Sequence, residues 1–576
     1  MKNKFLIAIT LLFALAIIVA CSDEFLDTPT QGAISSDVLS SSEQGVDASL
    51  IAVYNMLNGF TNTIGNTWGA APSNYIFESA ADDVHKGSEP SDNPDGYYEV
   101  SLYQWSTNLG VFRHKWGAVY EGIKRANNAI NIANAYRANG GSEDFVNRVV
   151  GEATFLRAWY HFDAYRIFVN VPYYLETDTD FRKPNDQPVL PLIIADLEKA
   201  ITLLPADKSA VGRVDRTVAQ ALLGKVKLFN KDYTGAKAEF EKVVGSGKYE
   251  LAPCYNDNFT IATQNNSESL FAFQASVNDG DGNSTNSNFL ERLAAPHVGT
   301  GRPSVTGCCG FNNPTQDFVN NFRVDANGLP VADWNAEKVV VGTAQTVDPR
   351  LDWTVGRTDV PYLDWGPHDI TWIRGLGWAG VYSPKKNMKL ASDPEGPGWT
   401  TGQLHAKNVE FLRYADVLLM LAEAEVESNG DLEEARRLVN LVRERAGNCA
   451  QGPDGGPLAV PIDDPAITWA TYKVGLYPGP WTDQAAARTA VRRERRLELG
   501  TEGHRLPDLR RWGVLESVVT AYMAYEKTVV NNVNGTDVRI GALDAAGPVL
   551  PRHYAFPIPS TEIELSNGAL IQNDGF

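Results

Sequence analysis

Along much of this chain the larger side chains recur at steps of three and four, the period of a helix with one buried face. Trp116, Tyr120, Ile123, Asn127 and Ile130 place a helix over Trp116–Asn139. Val149, Ala153, Leu156, Tyr160 and Ala164 place a second over Glu143–Phe168, ended by Val171-Pro172-Tyr173 because proline disfavours helix in the residue before it. A third is predicted over Asp196–Leu204, stopping near Pro205. Arg216–Asn230 with Tyr233–Val244 reads as a helix pair on a short turn, and so does Asn408–Glu427 with Leu432–Arg445. The two pairs match each other. Asn230–Ala236 aligns with Asn429–Ala435 at a constant offset of 199. In the first pair Leu223-Gly224, Ala236 and Phe240 fall at the offsets of a tetratricopeptide repeat, where small residues let paired helices approach and larger ones fill the groove to the next pair.

The periodicity fails elsewhere. Residues 250–400 hold many Gly, Pro, Asn, Asp and Trp with only scattered periodic runs, and 448–485 and 528–550 are also loop-like. Loops of this length in a compact protein are usually functional. The expected fold is therefore predominantly α, a tetratricopeptide-like scaffold of helix pairs carrying long, irregular, aromatic-rich insertions. Six of the thirteen tryptophans (Trp334, Trp353, Trp365, Trp372, Trp378 and Trp399) crowd into one such insertion, and two or three are expected to be exposed.

At 576 residues the chain can bury a sizeable core, and its net charge of −19 without a basic patch argues against a nucleic-acid partner. Five cysteines do not make a disulfide scaffold at this length. Adjacent Cys308 and Cys309 read either as a vicinal disulfide or as two small thiols in a Gly-rich loop. Neither a CxxC nor zinc spacing occurs, so no metal or cofactor is expected. Lys2 and Lys4 precede the apolar run Phe5–Ala20, which is short for a permanent span and has the basic start of a signal peptide. It ends Ile18-Val19-Ala20-Cys21, similar to a lipobox that would leave Cys21 as the lipid-bearing first residue. Ser22-Asp23-Glu24 resembles the surface-export signal of Bacteroidetes lipoproteins.

Motifs in order along the chain carry a family resemblance. They are Cys21 with Phe25-Leu26-Asp27, then Tyr54-Asn55-Met56-Leu57, then the Trp116 and Glu152–Phe162 helices and Val171-Pro172. Later come Arg413–Ala424, Asn440–Gly447, Glu494–Gly513 and Phe556–Pro559, and the chain closes on Gln572–Phe576. Over its whole length the chain resembles the SusD/RagB family of outer-membrane nutrient-binding lipoproteins, with Asp416 where Glu is usual and Phe576 where Tyr is common. The resemblance implies four tetratricopeptide-like pairs and binding without catalysis. It implies delivery of a glycan ligand to a SusC-like TonB-dependent barrel, at the outer membrane through a lipid anchor. It divides the chain into a signal peptide (1–20), an N-terminal helical region (21–245) and a C-terminal region (246–576) with ligand-binding insertions at about 250–400 and a helical pair at 408–446. In glycan-binding relatives a Trp-x2-Asn and an upstream acid touch the ligand. The matching positions are Trp105 and Asn108, with Asp82 or Asp83 as the acid. Because the family includes peptide-capturing members, a peptide ligand stays as the alternative.

Other chemistry is less favoured. Acids and arginines alternate through Glu494–Trp512 at helical spacing, which reads as salt-bridged scaffold rather than a catalytic carboxylate pair, as do Arg413, Asp416 and Glu423. The histidines are scattered and no G-x-S-x-G occurs, so no nucleophilic triad is visible. Asp279-Gly-Asp281-Gly-Asn283 hints at calcium, but Ser284 stands where an EF-hand loop needs glycine and Glu291 falls one residue late. Exposed indoles, in contrast, stack on the flat C–H faces of sugars. Trp372 and Trp378, surrounded by Gly375, Gly377 and Gly380, are the expected platforms facing Trp105.

Overall fold

The computed structural model describes residues 35–60, 68–280, 285–296, 309–394, 396 and 404–576. Cys21, Cys308, Trp399 and most of the Asp279–Asn283 motif lie outside them. The principal helices, numbered along the chain, are α1 (Glu43–Asn55), α2 (Gly110–Ala138), α3 (Glu143–Phe168), α4 (Leu190–Leu203), α5 (Arg216–Phe229) and α6 (Tyr233–Gly245). The second half adds α7 (Tyr414–Glu427), α8 (Leu432–Ala446), α9 (Gln484–Leu499), α10 (Arg505–Arg511) and α11 (Leu515–Glu526).

Helices α2 to α8 pack in file, each on the next in the order α2, α3, α4, α5, α6, α7 and α8, with α9 closing on α7 and α8. Side-chain oxygens of Ser142, Asp215, Asp232, Asp431 and Asp483 cap the starts of α3, α5, α6, α8 and α9. Helix α4 begins six residues earlier than the periodicity predicts because Pro191 occupies its first turn, where a missing N–H costs nothing. The repeat spacing is borne out at atomic contact. A Cβ built on Gly224 of α5 would stand 2.7 Å from the Phe240 ring of α6. Ala236 and Ala435, at the matched positions, are fully buried.

One predicted boundary needs correction. Val409–Arg413 is a strand rather than the start of α7, paired antiparallel with Ser269–Phe273. Val409 and Phe411 are strand-favouring residues, and the pairing aims Arg413 into the charged interior. There Arg413 meets Glu268, Glu498 and Glu502 at 2.6–2.8 Å. Arg350 joins Glu494 and Glu498, and Arg443 joins Glu494, at 2.7–2.8 Å. Arg495 bridges Asp416 and Asp508 at 2.8 and 2.9 Å. The Glu494–Trp512 segment is thus interior scaffold, its carboxylates consumed by Arg350, Arg413, Arg443 and its own Arg495. A disulfide joins Cys254 to Cys449, tying the start of the irregular region to the chain just after α8. Cys309 is also disulfide-bonded.

Candidate ligand-binding site

The six ligand-contact candidates separate sharply. Asp82 and Asp83 do not reach a surface. Asp82 takes a bidentate pair from Arg505 at 2.7 and 2.8 Å, and Asp83 accepts from Arg496 Nε at 2.7 Å. Complete burial would raise the Asp82 carboxyl, but Arg496 and Arg505 outweigh it and hold it at about 2. Trp105 is also interior, 5% exposed. Its indole N–H donates to Val100 O at 2.9 Å, and its ring lies 4.1 Å from Phe556, 4.6 Å from His553 and 5.1 Å from Tyr103. Trp372 is buried against Tyr362 and His368, and Trp353 is buried as well. Their rings are packed into the main core of the molecule, so neither offers a free face. Of the six clustered tryptophans, Trp334, Trp365 and Trp378 are half-buried.

Asn108 and Trp378 remain, and the fold brings both to the edges of one short segment, 88–110. The turn Asn93-Pro94-Asp95-Gly96 leads into a helical turn at Tyr97–Ser101. The Asn93 side chain fixes that entry, accepting from Tyr98 N at 2.6 Å and donating to Glu99 Oε2 at 2.8 Å. Trp105 anchors the following loop from beneath, and Asn108 emerges just ahead of α2. Its Oδ1 accepts from Ser560 Oγ at 2.5 Å, while Ser560 N donates to Thr107 O at 3.1 Å. Gly110 must be glycine here, because a Cβ would stand 2.7 Å from the Asp95 side chain. Between these parts opens a cleft of about 450 Å³ lined by Asn93, Asp95, Glu99, Asn108, Arg113 and the segment Pro559–Thr561.

Trp378 borders the other side of that segment. It rides a helical turn, Leu376–Ala379, flanked by Gly375 and Gly380 at φ of 66° and 74°, a region L side chains avoid. Its ring lies 5.4 Å from that of Tyr98, inclined by 54°. Arg374 clamps the two segments together through Glu89 and, at 2.8 Å, Asp92. Lys86 completes the clamp beneath, donating to Glu89 O at 3.0 Å with its ammonium 5.5 Å from the centre of the Tyr98 ring. Burial brings that ammonium down to about 8.

The result is an open cleft of amide, hydroxyl, carboxylate and guanidinium groups on one side of the 88–110 segment and a half-buried pair of aromatic rings on the other. Such a surface can make directional hydrogen bonds to a polyhydroxylated molecule and stack against an apolar face of it. Sequence reasoning missed Asn93, Tyr98, Glu99 and Arg113. The Asn-Pro-Asp-Gly turn before paired tyrosines marks a surface loop at their position, yet which loop faces which is set by contacts far away in sequence, such as the Arg374 clamp 282 residues on.

Comparison with known proteins agrees with the fold. A family profile described as the SusD family matches residues 267–576, and a second, described as starch-binding and associating with the outer membrane, matches 25–228. The chain is 23% identical over 569 residues to SusD-like protein P25 of Formosa agariphila, covering 96% of this chain and 95% of that one. Among solved structures, a SusD homolog from Bacteroides thetaiotaomicron superposes with a TM-score of 0.70 at 22% identity, covering 94% of this chain and 99% of the other. Surface glycan-binding protein A from the same organism, solved with laminarihexaose, superposes with a TM-score of 0.65 at 19% identity over 92% and 99%. Since a profile covering more than half the chain agrees with the helix-pair file and with the ordered motifs, this protein belongs to the SusD family.

Proposed function

We propose that this protein is a surface lipoprotein that binds a glycan in the cleft beside Asn108 and passes it to a SusC-like TonB-dependent barrel, making and breaking no bond. The observation that carries the reading is a single segment, 88–110, that bears an open polar cleft on one side and the Tyr98–Trp378 rings on the other. One set of groups satisfies hydroxyls and the other an apolar sugar face. The laminarihexaose bound to the superposable surface glycan-binding protein supports the ligand class. The interior guanidinium pairing of the Glu494–Trp512 carboxylates supports binding over hydrolysis, since none of them is free to move a proton. Export is supported by the Cys254–Cys449 disulfide, a bond that persists outside reducing compartments. No described helix is long and apolar enough to cross a membrane, so Cys21 is the proposed anchor.

Calorimetric titration of Asn108→Ala and Trp378→Ala against plant, host and microbial glycans tests the site. For a glycan that wild type binds, each variant is expected to lose about fivefold in affinity, the scale of one stacked ring or one hydrogen bond. Unchanged affinity in both moves the site elsewhere. Cys21→Ala is expected to move the protein out of the outer-membrane fraction, and unchanged partitioning refutes the anchor.

A further inference from the structure

A second, larger opening of about 760 Å³ lies on the other side of the one-turn helix Ser560–Leu565. Helix α2 forms its floor with Trp116, Tyr120, Asn127, Asn128 and Asn131, and the loop Tyr174–Phe181 forms its far wall. The two openings adjoin. Arg113 lines the first cleft and interacts electrostatically with Glu562, which lines the second and accepts a hydrogen bond from the Trp116 indole. From Arg113 to Asn131, α2 runs about 27 Å at its ordinary rise per residue.

The far wall is fixed in place. Asn127 Nδ2 donates to Tyr174 O at 3.3 Å, Asn131 Nδ2 donates to Glu176 O at 3.1 Å, and the Tyr174 hydroxyl donates to Phe181 O. Asp178 closes the turn, accepting from Leu175 N and Lys183 Nζ, both at 2.7 Å. On this pinned loop Phe181 is nevertheless 68% exposed, and across the opening Leu565 is 66% exposed. A large apolar side chain held out by a braced loop meets no need of the fold.

Most charges in the groove are already matched, with Glu562 facing Arg113 and the exposed Lys124 reaching Glu121 at 3.6 Å. Glu121 pairs with Arg125, Glu176 with Arg157, Asp178 with Lys183 and Asp180 with Arg182. What remains is largely neutral: the Phe181 ring, with the Arg182 guanidinium 5.4 Å from its centre, apolar edges, and amide groups such as the exposed Asn128, which makes no side-chain hydrogen bond among the described residues. An ionic ligand would have to break these pairs, whereas a neutral polyhydroxylated one would not. We propose that this groove is a second subsite for a neutral stretch of the same glycan, so that a long chain contacts both sides of the Ser560–Leu565 turn. This rests on the glycan reading above.

The test is a chain-length series. Hexaoses and disaccharides of β-1,3-glucan, β-1,4-glucan, α-1,4-glucan, β-1,4-mannan and β-1,4-xylan are titrated into wild type, Phe181→Ala, Asn128→Ala and Asn108→Ala. Both new-groove residues are exposed, so their variants are expected to keep the fold, checked by thermal melting. For at least one polymer the hexaose is expected to bind about tenfold more tightly than the disaccharide. Phe181→Ala and Asn128→Ala remove most of that gain and leave the disaccharide affinity unchanged, while Asn108→Ala weakens both lengths. Equal affinity for both lengths, or a hexaose gain that survives both groove variants, overturns the second subsite and leaves the glycan reading standing. A groove that captures an extended peptide but no longer glycan overturns it as well. No binding by any of these sugars overturns both.

Discussion

Trp105 and Asn108 sit three residues apart and do opposite work. The indole has its N–H satisfied and three aromatic neighbours within about 5 Å, so it is the pedestal of the loop rather than its contact point. Trp105→Ala is therefore expected to cost about 3–5 kcal/mol of folding stability, the range for emptying a large aromatic site. Asn108→Ala, on the exposed rim, is expected to stay within about 0.5 kcal/mol of wild type in a denaturant titration while losing ligand. If Trp105→Ala melted like wild type and lost only affinity, the buried assignment would be wrong. The sequence motif locates this loop, but it cannot say which member faces inward. That is decided by Phe556 and His553, more than 440 residues on, which cover the indole. The same holds for Asp82 and Asp83: their type suits a sugar contact, yet Arg496 and Arg505 reach them first.

At the level of elements the helical half is readable from sequence and the irregular half is not. The α3 boundaries and the α5–α6 pair follow from local periodicity and caps, information each segment carries within itself. Val409–Arg413 escapes a local reading because its strand character depends on a partner at Ser269–Phe273, far away in sequence. The repeat packing makes a sharp prediction. Gly224→Ala forces a methyl against the Phe240 ring, which is fully buried and has no room to retreat. It should cost about 1–3 kcal/mol even though alanine is the better helix former. At Gly245, the last residue of α6, an added Cβ would meet nothing within 4 Å, so Gly245→Ala should be neutral or slightly stabilising. Equal melting temperatures for the two variants would count against close α5–α6 contact.

For the molecule as a whole, the interior charges set the response to pH. Desolvation holds His85 at about 4 and His161, His368, His405 and His504 at about 3. Each is neutral in the fold but titrates near 6.5 in the open chain, so it contributes stability that is complete above about 6.5 and is lost as pH falls toward 3. Glu410 and Glu526, pushed up to about 8 by burial, act oppositely, contributing stability below about 4.5 that is lost as pH rises through 8. Asp82 and Glu502, brought to about 2 by their arginines against the desolvation of burial, add a loss below about 4. At about 1.4 kcal/mol per group per pH unit, the histidines are offset between pH 6.5 and 4.5 by the raised acids, which also include Asp83 at about 6 and Glu291 at about 7, and below about pH 4.5 that opposition ends. The melting temperature is expected to stay nearly level from pH 6.5 to 4.5 and to fall from pH 4.5 to 3. A flat profile from pH 4.5 to 3 would mean that these rings are charged in the folded protein.

The Cys254–Cys449 bond closes a circuit around 195 residues of sequence, and that circuit contains most of the irregular insertion. A protease that cuts once anywhere inside it leaves two fragments still joined through sulfur. The nicked chain would migrate as one piece on a gel run without reductant and as two with it. After a cut between Glu268 and Arg413, the severed halves also share the Glu268–Arg413 and Glu268–Arg445 pairs, so the broken chain has a covalent tether and a charged seam to hold it in register. Wear at the tips of the insertion is thereby uncoupled from loss of the scaffold beneath it.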